Sequence, residues 1–276
     1  MHPRAASPRA RRSRSSRTPR GGGRGGCASS PRRCAVRARR RRTADRVVRR
    51  PSRGLLSAAA LLCRRICSAL VSTLVYRFEE IGPRPLRPEV YELEGISRAS
   101  VEAHYKLYEG YVGKRNEILR KLADADLAVA NQVFSEFRAL KVDLSFAIGG
   151  IKNHELYFGH LGGGGGNPDG AFGDLVDRHF GSADVWRADL KATGMAGRGW
   201  AWTAFDWDEG RLFNYVGDAQ NTFPIWNATP LVALDVYEHA YFLDYQTDRA
   251  SYIDAFFTNL DWDVVNGWIE QYGIPV

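Results

Sequence analysis

Leu234-Asp235-Val236-Tyr237-Glu238-His239-Ala240-Tyr241-Phe242 sets the terms on which the rest of the chain is read. A carboxylate and an imidazole stand four positions apart in a run that is otherwise mostly apolar or aromatic. Both groups are costly to bury unless paired or bound to a metal, and two ligands need others from elsewhere. His104 and His154 lie in segments that read as helices with an apolar face. Three imidazoles and one carboxylate, with no thiolate, suit a redox-active first-row ion such as iron or manganese, although zinc would also accept the set.

Just before this stretch, residues 230–234 read as a strand that delivers Asp235 to its end. Residues 200–205 and 211–216 alternate as two more strands around an Asp208-Glu209-Gly210 turn, giving a hairpin. Residues 97–122 read as a first long helix, with Val101, His104, Leu107, Tyr108 and Tyr111 on one side. A second helix is expected over about 126–152. Its stripe of Leu140, Leu144, Ala147, Ile148 and Ile151 ends at His154. Gly149 and Gly150 weaken that last turn by about 1 kcal/mol each relative to Ala, which a helix tolerates where something must approach its backbone. Shorter helices are expected near 172–179 and 183–192, and two more near 252–260 and 263–272. Gly162 to Gly166 is a glycine run with no Gly-Lys-Ser/Thr after it, so it is no phosphate loop and reads as a flexible connection between domains. His160 and His179, isolated, read as ordinary core or surface residues. The fold class is α+β: an N-terminal long α-hairpin (residues 96–160), then a C-terminal α/β domain (161–276) with a three-stranded antiparallel sheet. A proline-containing linker, residues 76–95, leads into them.

Asp235-Val236-Tyr237-Glu238-His239-Ala240-Tyr241 resembles the D-V-W-E-H-A-Y motif of the iron/manganese superoxide dismutases. Asn153-His154 resembles the N-H of that family's second helix, Gly199-Trp200-Ala201-Trp202 its G-W-A-W strand, and Phe180-Gly181-Ser182 its F-G-S helix join. Leu260-Asp261-Trp262-Asp263 resembles the I-N-W-D near its end, with Asp261 in place of Asn. These motifs follow one another in family order, and the resemblance runs from Glu89 to the C-terminus.

The resemblance implies a superoxide dismutase, disproportionating superoxide to dioxygen and hydrogen peroxide at one manganese or iron ion per chain. It implies His104, His154, Asp235 and His239 as the metal ligands, Gln220 as the tuner that hydrogen-bonds bound solvent, and Trp200 as a pocket wall. Tyr111 is the implied gateway residue. It lies seven residues after His104 where the family has eight, so Tyr108 is the alternative, although seven residues return to the same helix face. Gln220 sits in Asp218-Ala219-Gln220-Asn221, similar to the loop from which manganese-type members supply a Gln. Iron-type members more often supply it four residues before the second ligand, where this chain has Gly150; manganese is therefore favoured.

Departures from the family pattern also matter. Tyr237 replaces the motif's Trp and Phe158 another. The family's cross-dimer His–Tyr pair is lost at both ends: Phe242 holds the Tyr place and no His precedes Tyr111 by four. Losing both is consistent, because one buried donor left unpaired would cost about 1–3 kcal/mol. Activity with an altered proton-delivery path is expected, in a homodimer or tetramer in which Glu238 contacts His239 of the partner subunit. A non-catalytic, superoxide-dismutase-like structural or RNA-associated protein is the alternative, but a scaffold has no reason to keep four ligands.

Charge divides the chain. Residues 1–65 hold 21 Arg and a single acid, Asp45, whereas the remainder holds 18 basic and 30 acidic residues. Such asymmetry marks a basic tail on an acidic body. The tail, residues 1–75, is Arg-, Ser-, Pro- and Gly-rich and reads as disordered. It could contact nucleic acid through phosphates, without aromatics to read bases, serve as a transit peptide, or be absent from the mature protein. The expected location is cytoplasmic, or an organelle if the tail is a transit peptide. Residues 55–75 are apolar, but Arg64 and Arg65 would cost roughly 5–7 kcal/mol at the centre of a span, which excludes a transmembrane helix. All four cysteines (27, 34, 63 and 67) lie in the tail, leaving the body without disulfides or thiolate ligands.

Overall fold

In the computed structural model, residues 77–222 and 225–276 are described. The basic tail, its cysteines and the apolar run 55–75 lie outside them. Among the described residues no helix is long and apolar enough to cross a membrane.

Helix α1 (Arg98–Ala123) starts at Ser97, whose Oγ accepts the Ser100 N–H at 3.2 Å, the usual way to satisfy a helix's first donors. Asp244 accepts from both Ser97 N–H (2.8 Å) and Ser100 Oγ (2.7 Å), so a distant segment holds this helix end. Val101, His104, Tyr108 and Val112 form the buried stripe of α1, while Leu107 is 42% exposed at its margin.

Helix α2 (Glu136–Gly159) begins ten residues later than the pattern suggests. Asp126 caps only a 3-10 turn, Leu127–Val129, and Asn131 Oδ1 takes the N–H groups of Val133 and Phe134. The true cap is Ser135, whose Oγ accepts from Arg138 N–H at 3.2 Å. Short polar side chains that bond nearby backbone compete with the helix in this way. At its other end α2 runs past residue 152 to Gly159, so His154 sits within the helix. Leu140, Ala147, Ile151 and His154 are buried, and Ile148 is not.

Helices α3 (Gly170–Phe180) and α4 (Ala183–Ala196) meet at Gly181, which holds φ 86° as a left-handed cap. Strands β1 (Trp200–Asp206), β2 (Arg211–Gly217) and β3 (Ala228–Asp235) form an antiparallel sheet of order β2-β1-β3. Register pairs Trp200 with Gly217 on one side and with Asp235 on the other, with an irregularity between Thr203 and Ala204. A short helix α5 (Phe242–Tyr245) precedes α6 (Arg249–Phe257) and α7 (Trp262–Tyr272). Asp248 caps α6 by accepting from Ser251 N–H, which starts that helix three residues earlier than its apolar pattern. The main core cluster draws Tyr108, Tyr157, Trp186, Trp200, Tyr252 and Phe256 from helices and sheet alike.

Two connecting segments are tied down by hydrogen bonds. In the expected linker, Pro88–Glu92 forms a 3-10 turn with Pro88 at its start. Arg87 beside it donates to Asp261 Oδ2 (2.9 Å) and to the Leu161 carbonyl (2.6 Å). The glycine run, expected to be a flexible connection, lies against the α6–α7 junction. Gly162 and Gly163 N–H donate to Asn259 O, and Gly165 N–H to Leu260 O. Close approach is what the missing side chains allow: a Cβ on Gly163 would run into Asp261 Cα and the Leu260 carbonyl oxygen.

Gly163→Ala should therefore force two backbone segments apart and destabilise the protein by about 1–3 kcal/mol, the usual cost of overpacking. Gly164→Ala, where added volume meets nothing, should be far milder. Denaturant unfolding of the two variants checks this, and equal losses would contradict it.

Candidate metal centre

Four side chains from four places in the chain converge. His104 comes from α1, His154 from α2, Asp235 from the last position of β3, and His239 from a 3-10 turn, Glu238–Ala240, immediately after it. One potential ligand atom from each lies within 4.8 Å of every other. Asp235 Oδ2 is the hub, at 3.1 Å from His104 Nε2, 3.3 Å from His239 Nε2 and 3.8 Å from His154 Nε2. Donor atoms about 2 Å from a common first-row ion stand about 3–4 Å from one another, the range of the three distances to Asp235 Oδ2.

Local structure fixes each group. Asp235 Oδ1 accepts the Tyr237 N–H at 2.9 Å, leaving Oδ2 to face the imidazoles. The Val236 N–H donates to Gly199 O and holds the strand end against β1. His154 Nδ1 donates to the Gly150 carbonyl at 2.6 Å, so its Nε2 carries the lone pair. That Nε2 is buried and has no hydrogen-bond partner, an orphan of the kind a metal ion satisfies.

Electrostatics agree with the geometry. Burial pushes His154 down to about 3 and lowers His104 as well, keeping both imidazoles neutral. Burial alone would raise Asp235, but His239 and His104 outweigh it and hold the carboxyl well below its usual range. Burial would also lower His239, yet the Asp235 charge beside it wins and raises it. Neutral imidazoles and an ionised carboxylate are the forms that bind metal: His104, His154 and Asp235 are held in them, while His239, raised by Asp235, gives up its proton when an ion binds.

Around the four sits a second layer. Trp200 packs edge-on to His154 with ring centroids 5.3 Å apart, and Phe158 and Tyr157 flank His104 at 5.0 and 5.1 Å. Tyr237 stacks on His239 at 5.1 Å. Gln220 lies between helix and sheet. Its Oε1 accepts from Trp200 Nε1 (3.1 Å) and Asn153 Nδ2 (3.2 Å), and its Nε2 donates to Tyr111 Oη (3.3 Å). Indole N–H can only donate, which fixes the amide's orientation. Gly149 and Gly150 clear the way: a Cβ on Gly149 would collide with the Gln220 carbonyl oxygen, and one on Gly150 would meet the Tyr111 ring at 2.7 Å.

Of the two tyrosines left open by the sequence, Tyr111 is the one beside Gln220 and His154. Tyr108 Oη is engaged elsewhere, donating to Glu155 Oε1 and accepting from Arg84 N–H. Asn153, which in sequence only marks a motif, proves to hold the Gln220 amide. Tyr157 and Tyr252 had no predicted role at all. Tyr252 Oη donates to the Asp235 carbonyl (2.8 Å), and Tyr157 Oη stands 3.2 Å from Tyr252 Oη. Nothing in residue spacing distinguishes these phenols from ordinary core.

Residues 168–267 match the family described as iron/manganese superoxide dismutases, C-terminal domain. The chain is 46% identical over 191 residues to superoxide dismutase [Fe] of Aquifex pyrophilus, covering 67% of this chain and 89% of that protein. It is 38% identical over 184 residues to superoxide dismutase [Fe] of Cupriavidus metallidurans, covering 65% and 91%. Against superoxide dismutase [Mn] 1 of Halobacterium salinarum it is 39% identical over 193 residues, covering 70% and 95%.

Tyr252→Phe should leave the buried Asp235 carbonyl without its donor and cost about 1–3 kcal/mol in metal-free protein. Tyr157→Phe, which removes no bond to Asp235, should cost less. Urea unfolding of both variants measures the difference, and an equal or reversed order would refute it.

Proposed function

The chain belongs to the iron/manganese superoxide dismutases and is a superoxide dismutase, and on that basis we propose how its own residues carry the activity. The non-catalytic alternative is not favoured by these relatives. His104, His154, Asp235 and His239 hold the single ion, which is iron or manganese in this family. The observation that carries this reading is the convergence of their donor atoms around Asp235 Oδ2, with the buried His154 Nε2 left unpartnered. An ion held there would supply the one-electron redox chemistry that disproportionating superoxide requires.

The protein's part is to orient and to manage protons. Trp200 and Asn153 hold the Gln220 amide by its oxygen, so its N–H faces Tyr111. Because Tyr111 Oη accepts from Gln220, its own proton is free to point toward the entering substrate. Burial raises the Tyr111 hydroxyl's pKa, keeping that proton in place at neutral pH. Gln220 is thus the tuner, Tyr111 the gateway and Trp200 the wall. Each disproportionation takes up two protons, and hydrogen peroxide and dioxygen leave.

Manganese is our preferred ion. The tuning Gln comes from the loop after β2, and Gly150, four residues before His154, has the Tyr111 ring where a side chain would go. The active form is a homodimer, which two such dimers could extend to a tetramer. Glu238 is 67% exposed on its side chain beside His239, and Phe242 and Leu243 next to it are exposed apolar groups. Leu107 and Phe242, at the places of the family's polar cross-dimer pair, would make that contact apolar. Cytoplasmic residence, or organellar if residues 1–75 are a transit peptide, belongs to the same proposal and rests on the tail's composition.

Purified protein should carry about one ion per chain, as one four-ligand cluster implies, and suppress superoxide-driven cytochrome reduction. His154→Ala should abolish both. Metallated protein inert in that assay would overturn the catalytic assignment. Gln220→Ala should shift the metal's potential and lower turnover by about 10–100-fold, the usual range for outer-shell groups; unchanged kinetics would show that another group tunes the ion. Reconstitution with each metal should give higher activity with manganese, and an equal or better iron form would refute only the choice of metal.

A further inference from the structure

The outer edge of β3 is covered by side chains where another strand would otherwise lie. β3 bonds to β1 on one side only, yet its last residues, Leu231 to Asp235, are fully buried. Buried backbone N–H and C=O groups need partners. Alternate residues of a strand present their amides to the same edge, and two side chains meet them there. Tyr252 Oη donates to the Asp235 carbonyl, and His160 Nε2 accepts the Ala233 N–H at 2.9 Å.

His160 is the residue that the dismutase chemistry leaves unused. It is fully buried, caps the end of α2, and packs its ring between Tyr157, Phe256 and Trp268. Its backbone carbonyl accepts the Asp261 N–H, so the residue joins α2, β3 and the α6–α7 junction. His154 and His160 lie six residues apart on one helix, about 9 Å along its axis. One of these imidazoles faces Asp235 Oδ2; the other grips the strand two residues before Asp235.

We propose that His160 is a positioning residue for the metal centre: by accepting the Ala233 N–H it fixes the end of β3, and so the Asp235 carboxylate, at the distance from His154 that one ion requires. This rests on the reading of His104, His154, Asp235 and His239 as the ligand set. An imidazole suits the task because its neutral form offers one in-plane acceptor on a stiff ring. A side chain without an acceptor leaves the Ala233 N–H buried and unpaired, and the strand end drifts to satisfy it.

The test is metal retention in the full chain loaded with manganese, followed as release to excess chelator, beside thermal midpoints of metal-free and loaded forms. His160→Leu, which has no acceptor, and His160→Met, whose thioether is only a weak one, should release the ion about 10–100-fold faster, the scale seen when groups behind metal ligands are removed. His160→Gln, whose amide oxygen can accept, should stay within a fewfold of the parent. Equal release from all variants, with equal midpoint losses in both forms, would mark a merely structural role and overturn the proposal. So would His160→Gln releasing as fast as His160→Leu, or both apolar variants failing to fold while His160→Gln folds and holds metal. A parent chain that holds no ion, or a His154→Ala variant that retains it, would instead sink the ligand assignment.

Discussion

A single carboxylate oxygen, Asp235 Oδ2, sits fully buried among three imidazoles, and the molecule is arranged to make that position tolerable. An isolated ionised carboxylate in an apolar interior is costly enough to neutralise instead. Here His239 and His104 outweigh the burial and keep it charged. The ligand cluster is also where two helices, a strand end and the turn after it meet. No segment alone could supply it, so the site exists only as a product of the packed core.

The layer around that oxygen explains features that would be weaknesses elsewhere. Gly149 and Gly150 cost helix propensity in α2, yet any side chain there would collide with Gln220 or Tyr111. The phenols of Tyr157 and Tyr252 are a polar load in the core, yet they end on the Asp235 carbonyl. His160 is a buried base that burial holds at about 3, and its neutral ring accepts a strand N–H that would otherwise be orphaned. The glycines at 162–166 let the chain pass within hydrogen-bond reach of the α6–α7 junction. Each local rule that is broken serves a contact that lies far away in sequence.

Two positions where this chain departs from the motifs it resembles carry aromatic rings against the ligands. Tyr237 stacks on His239, and Phe158 packs against His104. The amide chain Trp200–Gln220–Tyr111 has its direction dictated by an indole that can only donate.

The long helices, the three strands and the α+β class were legible in the order of residues, and the four candidate ligands through the motifs that resemble a family's. Apolar periodicity reports which face is buried, and an Asp or His placed on such a face must be paired or bound to metal. The same reading misplaced the start of α2, because Asp126 and Asn131 resemble caps and serve only turns. It took the glycine run for slack, because spacing carries no information about what lies opposite. That Tyr111 rather than Tyr108 faces Gln220, and that His160 and Tyr252 grip the edge of β3, emerged with the folded chain alone. Those choices depend on contacts between residues 17 to 109 positions apart, which packing creates and no local pattern encodes.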